Sequence, residues 1–187
     1  MRYTQRMIEY LKMLGESPSL THDFIPTGDD LDNRMFNEEF AKQLEDIPTV
    51  AQITHLNNLW DIVRDGRIYY VRSITNPFIA AQFTGDDIDG GIQFKDVWNS
   101  IHTQSIARTT IFQFFLKQYN FVQCDSIHTP NGKKYWVKLL TTALADGYKC
   151  SVCNRINHSE KFITKDINIE SYWGANESQW TFKIYKK

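Results

Sequence analysis

The sequence predicts an α+β protein in which a mixed, largely antiparallel twisted sheet is flanked by helices and follows a helical N-terminal segment. Apolar residues recur at helical spacing in three segments within residues 1–65. They alternate with a period of two in the segments of residues 67–100 that are predicted as strands, and helical and strand patterns then follow each other in turn. Aromatic residues make up 14% of the chain, which favours β content. A length of 187 residues fits one domain, with a helical portion over 1–65 and a sheet core over 66–187.

The N-terminal portion is predicted to contain three helices. Residues 3–14 carry apolar side chains at spacings of three and four, as an amphipathic helix does, and residues 15–33 are polar and predicted to be irregular. The helical spacing returns over residues 34–45, and Pro48 ends that helix. We expect a third, short helix between Thr54 and Gly66.

Three strands are expected next, at residues 67–73, 78–84 and 92–100. Asn76 and Pro77 mark a turn between the first two strands. Glycine and aspartate between residues 85 and 91 predict a loop before the third strand. Short connections between successive strands indicate an antiparallel meander.

The second half of the chain predicts alternating helices and strands. A helix is expected over residues 107–119 and a strand over 121–127. Thr129 is suited to cap the next helix and Pro130 to be its first residue, and this helix is expected to end near Asp146. The remaining predicted strands are residues 148–153, 163–169 and 180–185.

The charge distribution indicates which ligand classes suit each part of the chain. The net charge of −1 argues against an indiscriminate nucleic-acid binder. Residues 1–60 hold 5 basic and 10 acidic side chains, whereas residues 91–187 hold 13 basic and 7 acidic ones. The C-terminal part therefore suits an anionic ligand and the N-terminal part a basic one, unless the two faces only neutralise each other.

The cysteines and the hydropathy pattern predict a cytoplasmic protein. No segment approaches the ~18 uninterrupted apolar residues of a membrane helix, so we expect no membrane partner. Three cysteines form no even disulfide framework, which is typical of reducing cytoplasm. Cys150, Cys153 and His158 have partial zinc spacing, but residues three apart on a strand face opposite sides, so we expect buried thiols and no metal.

The order of the predicted elements resembles that of the GCN5-related N-acetyltransferase (GNAT) superfamily over roughly residues 50–187. In that fold leading helices precede an antiparallel series, a helix follows the fourth strand, and a strand, a helix and a strand complete the core. Residues 98–102, 125–136 and 172–174 are also similar to segments of small acetyltransferase-like proteins encoded by bacteriophages. The resemblance implies an acetyl-CoA cofactor whose pyrophosphate lies at the N-terminus of the helix after the fourth strand.

The diagnostic loop of the family has the pattern Gln/Arg-x-x-Gly-x-Gly/Ala, and residues 104–109 match it only in part. Gln104 fits, but Ala107 and Thr109 stand at the two small positions, where side chains crowd a phosphate and disfavour positive φ. Arg108 can compensate with its charge. The resemblance therefore implies a degenerate cofactor loop, made of these residues: Gln104, Ser105, Ala107, Arg108 and Thr109.

The catalytic residues expected from the resemblance are incomplete. Family members often carry a tyrosine as general acid four residues before a Gly-Phe pair, but Ala143 stands four residues before Gly147 and Tyr148. Tyr135 lies two turns earlier on the same predicted helix and is a candidate for that role. A base is also needed, and His128 and Asp125 are candidates because they follow a predicted strand end.

These observations leave three functions open. The first is an N-acetyltransferase acting on an amine of a protein or small molecule. The second, consistent with the degenerate loop, is a catalytically inactive scaffold that binds and inhibits a protein of the bacterial host, such as a defence-system toxin. The third is a nucleic-acid-binding or nucleic-acid-modifying protein that uses the basic half of the chain, although the net charge makes nucleic acid the less favoured partner.

Overall fold

One nine-stranded sheet forms the centre of the molecule. The computed structural model describes residues 28–44, 52–100, 103, 105–126, 128–165, 167–173 and 177–187. The predicted helix over 3–14 lies outside these residues. The strands are β1 Gln52–His55, β2 Trp60–Asp65, β3 Ile68–Ser73, β4 Ile79–Ile88, β5 Gly91–Asn99, β6 Phe121–Cys124, β7 Cys150–Asn154, β8 Glu160–Ile163 and β9 Trp180–Tyr185.

Within the described residues, four helices accompany the sheet. They are α1 Gly28–Asp32, α2 Arg34–Gln43, α3 over residues 106–118, and α4 Pro130–Ala145. The middle of α3, Ile111–Phe115, is a π-helical turn between two α-helical turns, and Ile169–Trp173 and Glu177–Gln179 are short 3₁₀ helices. No helix in the described ranges is long and apolar enough to cross a membrane.

The strand order confirms the predicted α+β class with a mixed, largely antiparallel sheet. Neighbouring strands follow the order β1-β2-β3-β4-β5-β6-β9-β7-β8. Strands β3, β4 and β5 form the expected antiparallel meander, and β1 and β2, which were not expected, extend it at the β3 edge. Among the described strands only β5 and β6 pair in parallel, and α3 connects them.

Helices cover the two faces of the sheet and create two cores. Successive strand residues point to opposite faces, so Tyr69 packs in a core with α3 and α4, whereas Tyr70 packs in a second core with α1 and α2. Both tyrosines are 2% exposed. Strands β2 to β4 are therefore buried on both faces.

The start and the end of α4 confirm the sequence-based interpretation. Thr129 caps the helix, because its Oγ1 accepts a hydrogen bond from the backbone N–H of Gly132 at 3.1 Å. Pro130 is the first helical residue. Gly147 follows the helix with a φ of 82°, a left-handed conformation that favours glycine.

The third predicted helix was wrong, because residues 52–65 form β1 and β2. Ile62 packs in the α3–α4 core and Val63 in the α1–α2 core. A strand buried on both faces shows adjacent apolar residues instead of alternation. Ile62 and Val63 lie three and four residues after Leu59, which is also the spacing of apolar residues on one face of a helix.

Three further predicted boundaries moved. Residues 28–32 form α1 instead of irregular chain. The loop expected at 85–91 is mostly strand, because β4 continues to Ile88 and its carboxylates Asp86 and Asp87 pair with Arg67 and Arg64 across the sheet surface. The strand expected at 163–169 was wrong except for its first residue, because Ile163 is the last residue of β8 Glu160–Ile163.

Candidate functional site

A gap opens in the sheet where β5 and β6 separate. The two strands pair from Gly91 with Phe121 to Phe94 with Cys124. Beyond this point β5 continues to Asn99 paired with β4, whereas β6 ends. At the end of β6 the Cys124 Sγ accepts the backbone N–H of Phe182 at 3.1 Å. The outer half of β5 thus lacks a strand neighbour on one side among the described residues.

Two cavities lie at this gap and share Asn99 and Tyr135 in their walls. The larger has a volume of about 610 Å³ and lies between the start of α3 and the middle of α4. The smaller has a volume of about 300 Å³ and lies between the outer half of β5 and the start of α4. We call the two cavities together the cleft. It runs along one end of the sheet, which we call the Asn99 end.

The start of α3 is held by the side chain of Asn99. Its Oδ1 accepts the backbone N–H of Ala107 at 2.9 Å, and its Nδ2 donates to the carbonyls of Ser100 and Thr103 at 2.8 and 3.0 Å. Ser105 precedes the helix with a φ of 72°, so the left-handed residue of this loop is a serine, and Ala107 and Thr109 are helical. The helix N-terminus is therefore partly satisfied from within the protein.

The larger cavity has a positively charged wall. Arg108 and Lys138 line it, and no carboxylate does among the residues that the structure describes. The hydroxyl of Tyr135 is buried there without a hydrogen-bond partner in the described part of the chain. Burial raises the pKa of Tyr135, and the positive charge of Arg108 offsets this only in part. Tyr135 therefore keeps its proton at neutral pH and can donate a hydrogen bond to a ligand.

The smaller cavity brings His128 to the same cleft as Tyr135. The His128 ring lies against two indole rings, at centroid distances of 5.9 Å from Trp173 and 6.5 Å from Trp136. Lys95 and Asp96 line the opposite wall from β5. A titratable group on an aromatic wall can exchange a proton with a bound molecule.

Asp125 lies beside the cleft but outside its described walls. Its Oδ1 accepts the backbone N–H of Ser126 at 2.7 Å and the amide of Gln93 at 3.4 Å, and it lies 3.8 Å from the ammonium of Lys95. These contacts anchor the turn after β6. They connect Asp125 to the smaller cavity only through Lys95.

The residues predicted for the cofactor loop are divided by the structure. Ser105, Ala107 and Arg108 line the larger cavity, whereas Thr109 is half-buried on α3 outside the described wall. Gln104 lies outside the described residues. Asn99 and Lys138 also line the larger cavity, and neither residue was expected at the site. A signal for Lys138 was its position one helical turn after Tyr135.

The cysteines are away from the cleft walls. Cys124 and Cys150 are buried, and burial raises the pKa of each thiol to about 12. Cys153 is half-buried, and burial raises the pKa of its thiol as well. Neutral thiols of this kind are poor nucleophiles.

The sequence matches no protein-family model, and a search of curated proteins finds no similar protein. What the cleft binds is therefore inferred from its own geometry and charge.

Proposed function

We propose that this protein is an N-acetyltransferase with a GNAT-like fold, which binds acetyl-CoA in the cleft and acetylates an amine. The observation that carries the proposal is the gap between the parallel strands β5 and β6, with a basic cavity at its mouth lined by Tyr135, whose buried hydroxyl has no hydrogen-bond partner among the described residues. A parallel pair that separates leaves room for an extended ligand between strands.

The order of elements supports the GNAT-like fold. An antiparallel series ends in β5, α3 leads to the parallel strand β6, and α4 leads to β7. The last strand, β9, lies between β6 and β7. The resemblance predicted this alternation of helix, strand, helix and strand after the meander.

The residues of the cleft suit acetyl-CoA, with side-chain cations in place of the backbone N–H groups that the family loop uses. A pyrophosphate needs positive charge, which Arg108 and Lys138 supply at the larger cavity. The backbone N–H of Ala107 is already bonded to Asn99, so side-chain cations take the place of that N–H. Tyr135 lines both cavities, and we assign its buried hydroxyl, which has no hydrogen-bond partner in the described part of the chain, as a donor to the ligand.

Acetyl-CoA would supply an activated thioester, and two side chains of the cleft would move protons. Tyr135 holds a proton on its hydroxyl because its pKa is raised by burial, and it gives this proton to sulfur as the carbon–sulfur bond breaks. His128 accepts the proton that leaves the amine as the carbon–nitrogen bond forms. Asp125 has a positioning role, since its carboxylate holds the turn after β6.

Calorimetric titration with acetyl-CoA tests this proposal. We expect saturable binding, and we expect Lys138→Glu to weaken it at least about tenfold, because the substitution reverses a charge at the larger cavity. Lys134→Glu is the matched control, because Lys134 is exposed one turn earlier on α4 and outside the described cavity wall. Equal affinities of both variants, or no binding at millimolar acetyl-CoA, would contradict the proposal.

A second candidate is an inactive GNAT-like scaffold that binds a host protein. Two observations favour it: the internal bond from Ala107 to Asn99, and the alanine at position 143, where the family often has a tyrosine. Under this proposal a stoichiometric host protein co-purifies with the chain and acetyl-CoA produces no heat. Saturable acetyl-CoA binding with turnover would contradict it.

A further inference from the structure

A separate cavity of about 600 Å³ lies where β2, β3 and β4 meet the helix α2. Trp60, Pro77 and Phe78 supply an apolar wall, and Ser73 and Asn76 supply polar groups. Arg34 and Glu38 of α2 also line it, but they pair with each other at 2.9 Å. This cavity thus suits an uncharged, largely apolar group. We call it the Trp60 cavity.

Exposed apolar residues stand next in the chain to residues that line the Trp60 cavity, and we call them its rim. Five large apolar residues are exposed in the described part of the chain, and three of them, Met35, Leu59 and Ile74, are direct chain neighbours of residues that line this cavity. Leu59 is 59% exposed and Ile74 is 44% exposed. Clustered exposed apolar side chains are typical of an interaction site.

Hydrogen bonds shape this rim in advance. The N–H of Ile74 donates to the carbonyl of Leu59 at 3.0 Å, so the two loops are joined. The N–H of Ser73 donates to the carbonyl of Phe78 at 2.9 Å, which closes the turn between β3 and β4. A preformed surface loses little conformational entropy when it binds a partner.

The Trp60 cavity lies at the same end of the sheet as the cleft. Because β2 to β5 alternate in direction, the start of β2, the end of β3, the start of β4 and the end of β5 all reach the Asn99 end. The carbonyl of Ala80 accepts bonds from Ser100 and Thr103, which ties the start of β4 to the loop before α3. Strands lie about 4.8 Å apart, so β2 is roughly 14 Å from β5, a distance that about four extended residues cover.

The charge of the helices beside this cavity favours a basic partner. Five acidic residues lie on α1 and α2, against two basic ones. Gly28 brings α1 against the Asn99 end, since an added Cβ there would lie 2.6 Å from the Trp98 ring. An amine-bearing chain that crosses from the Trp60 cavity to the cleft therefore passes beside an acidic layer.

We infer that the acceptor is a polypeptide, with an apolar side chain anchored in the Trp60 cavity and a lysine about four residues away that enters the cleft. This inference rests on the proposed function, because it specifies the substrate of that reaction. The separation of the two sites requires a chain long enough to occupy both. A free small amine would use only the cleft.

Binding of labelled peptides, measured by fluorescence anisotropy without acetyl-CoA, tests the inference. The probe is a short peptide with one central lysine, a leucine about four residues to either side, and glycine and serine elsewhere. Its control has serine in place of both leucines. We expect the leucine peptide to bind about tenfold more tightly, as burial of one aliphatic side chain predicts.

Two double variants locate the binding. Leu59→Ser with Ile74→Ser is expected to remove the preference for leucine, while acetyl-CoA binding stays unchanged. Ile156→Ser with Phe162→Ser alters two equally exposed residues elsewhere and should leave the preference intact. Equal binding of the two peptides, or equal effects of the two double variants, overturns the inference. If the parent protein prefers the leucine peptide but does not bind acetyl-CoA, the result contradicts the proposed function and not this inference.

Discussion

Tyr135 lines both cavities of the cleft, and its buried hydroxyl has no protein partner in the described part of the chain. An unpaired buried donor costs free energy unless a ligand satisfies it. We expect Tyr135→Phe to leave acetyl-CoA affinity within about threefold and to lower kcat about 100-fold, because a general acid acts mainly in the transition state. Steady-state acetylation of a lysine peptide measures both effects.

The matched control is Tyr148→Phe, since Tyr148 is a half-buried tyrosine on the segment after α4 and packs against Phe112 outside both cavity walls. Its kcat should stay close to that of the parent protein. A purely structural role of Tyr135 would instead lower the thermal midpoint of Tyr135→Phe without a specific effect on kcat.

At the level of single residues, sequence patterns predicted the roles that depend on contacts between residues close together in the chain. Thr129 and Pro130 predicted the start of α4, because capping joins residues three apart. Asn99 could not be recognised in the same way. Its bond to Ala107 spans eight residues and needs the loop geometry that follows β5. The Lys138 side chain likewise joins the site only because α4 crosses beside the start of α3.

Besides its apolar core, the helix layer formed by α1 and α2 is joined to the sheet by hydrogen bonds of the buried Asn37 side chain. Asn37 is 0% exposed; its Oδ1 accepts the N–H of Ile79 at 2.6 Å, and its Nδ2 donates to the carbonyls of Ile79 and Leu31. Asn37→Ala would leave these backbone groups buried without that partner. We expect it to lower the free energy of unfolding by about 3 kcal/mol, measured by urea denaturation.

The control for Asn37→Ala is Asn131→Ala, because Asn131 is exposed at the start of α4. It should change the free energy of unfolding by less than about 0.5 kcal/mol. Limited proteolysis adds a local measurement, since loosening of this layer should expose residues 28–44 to cleavage before the sheet. Equal stabilities of the two variants would show that Asn37 does not hold the layer.

At the level of elements, whether a strand could be predicted from the sequence depended on how many of its faces are buried. The class of fold, the meander and β9 followed from alternation or from clear turn signals. Strand β2 was mistaken for a helix because both of its faces are buried. Its apolar residues therefore do not alternate with polar ones, as they do in a strand with one exposed face. Strand β4 was cut short because Asp86 and Asp87 resemble loop residues until their arginine partners on neighbouring chain segments are known.

Across the whole molecule, the basic cleft and the acidic helices α1 and α2 both reach the Asn99 end of the sheet. The basic excess of residues 91–187 includes Arg108 and Lys138 at the cleft, and the acidic excess of residues 1–60 includes α1 and α2 beside the Trp60 cavity. The net charge of −1 therefore averages two unlike surfaces. An anionic cofactor and a cationic acceptor would each meet the surface of opposite sign.

The alkaline stability of the whole molecule is set by acids that both cores keep neutral. Burial raises the pKa of Cys124 from its ordinary value of 9.0 to about 12, and it also raises the pKa values of Cys150, Tyr70 and Tyr135. Between about pH 9 and pH 12 the unfolded chain releases protons that the folded protein retains. The free energy of unfolding therefore has its full value below about pH 9 and falls as the pH rises through this window. Urea denaturation between about pH 8 and pH 11 should show this decline.

The variant Cys124→Ala tests the contribution of one such acid. It removes the thiol and the hydrogen bond from Phe182, so it lowers the free energy of unfolding at pH 8 but reduces its decline by up to about 1.4 kcal/mol per pH unit. Parallel curves for the parent protein and Cys124→Ala would mean that the Cys124 thiol ionises alike in the folded and unfolded states.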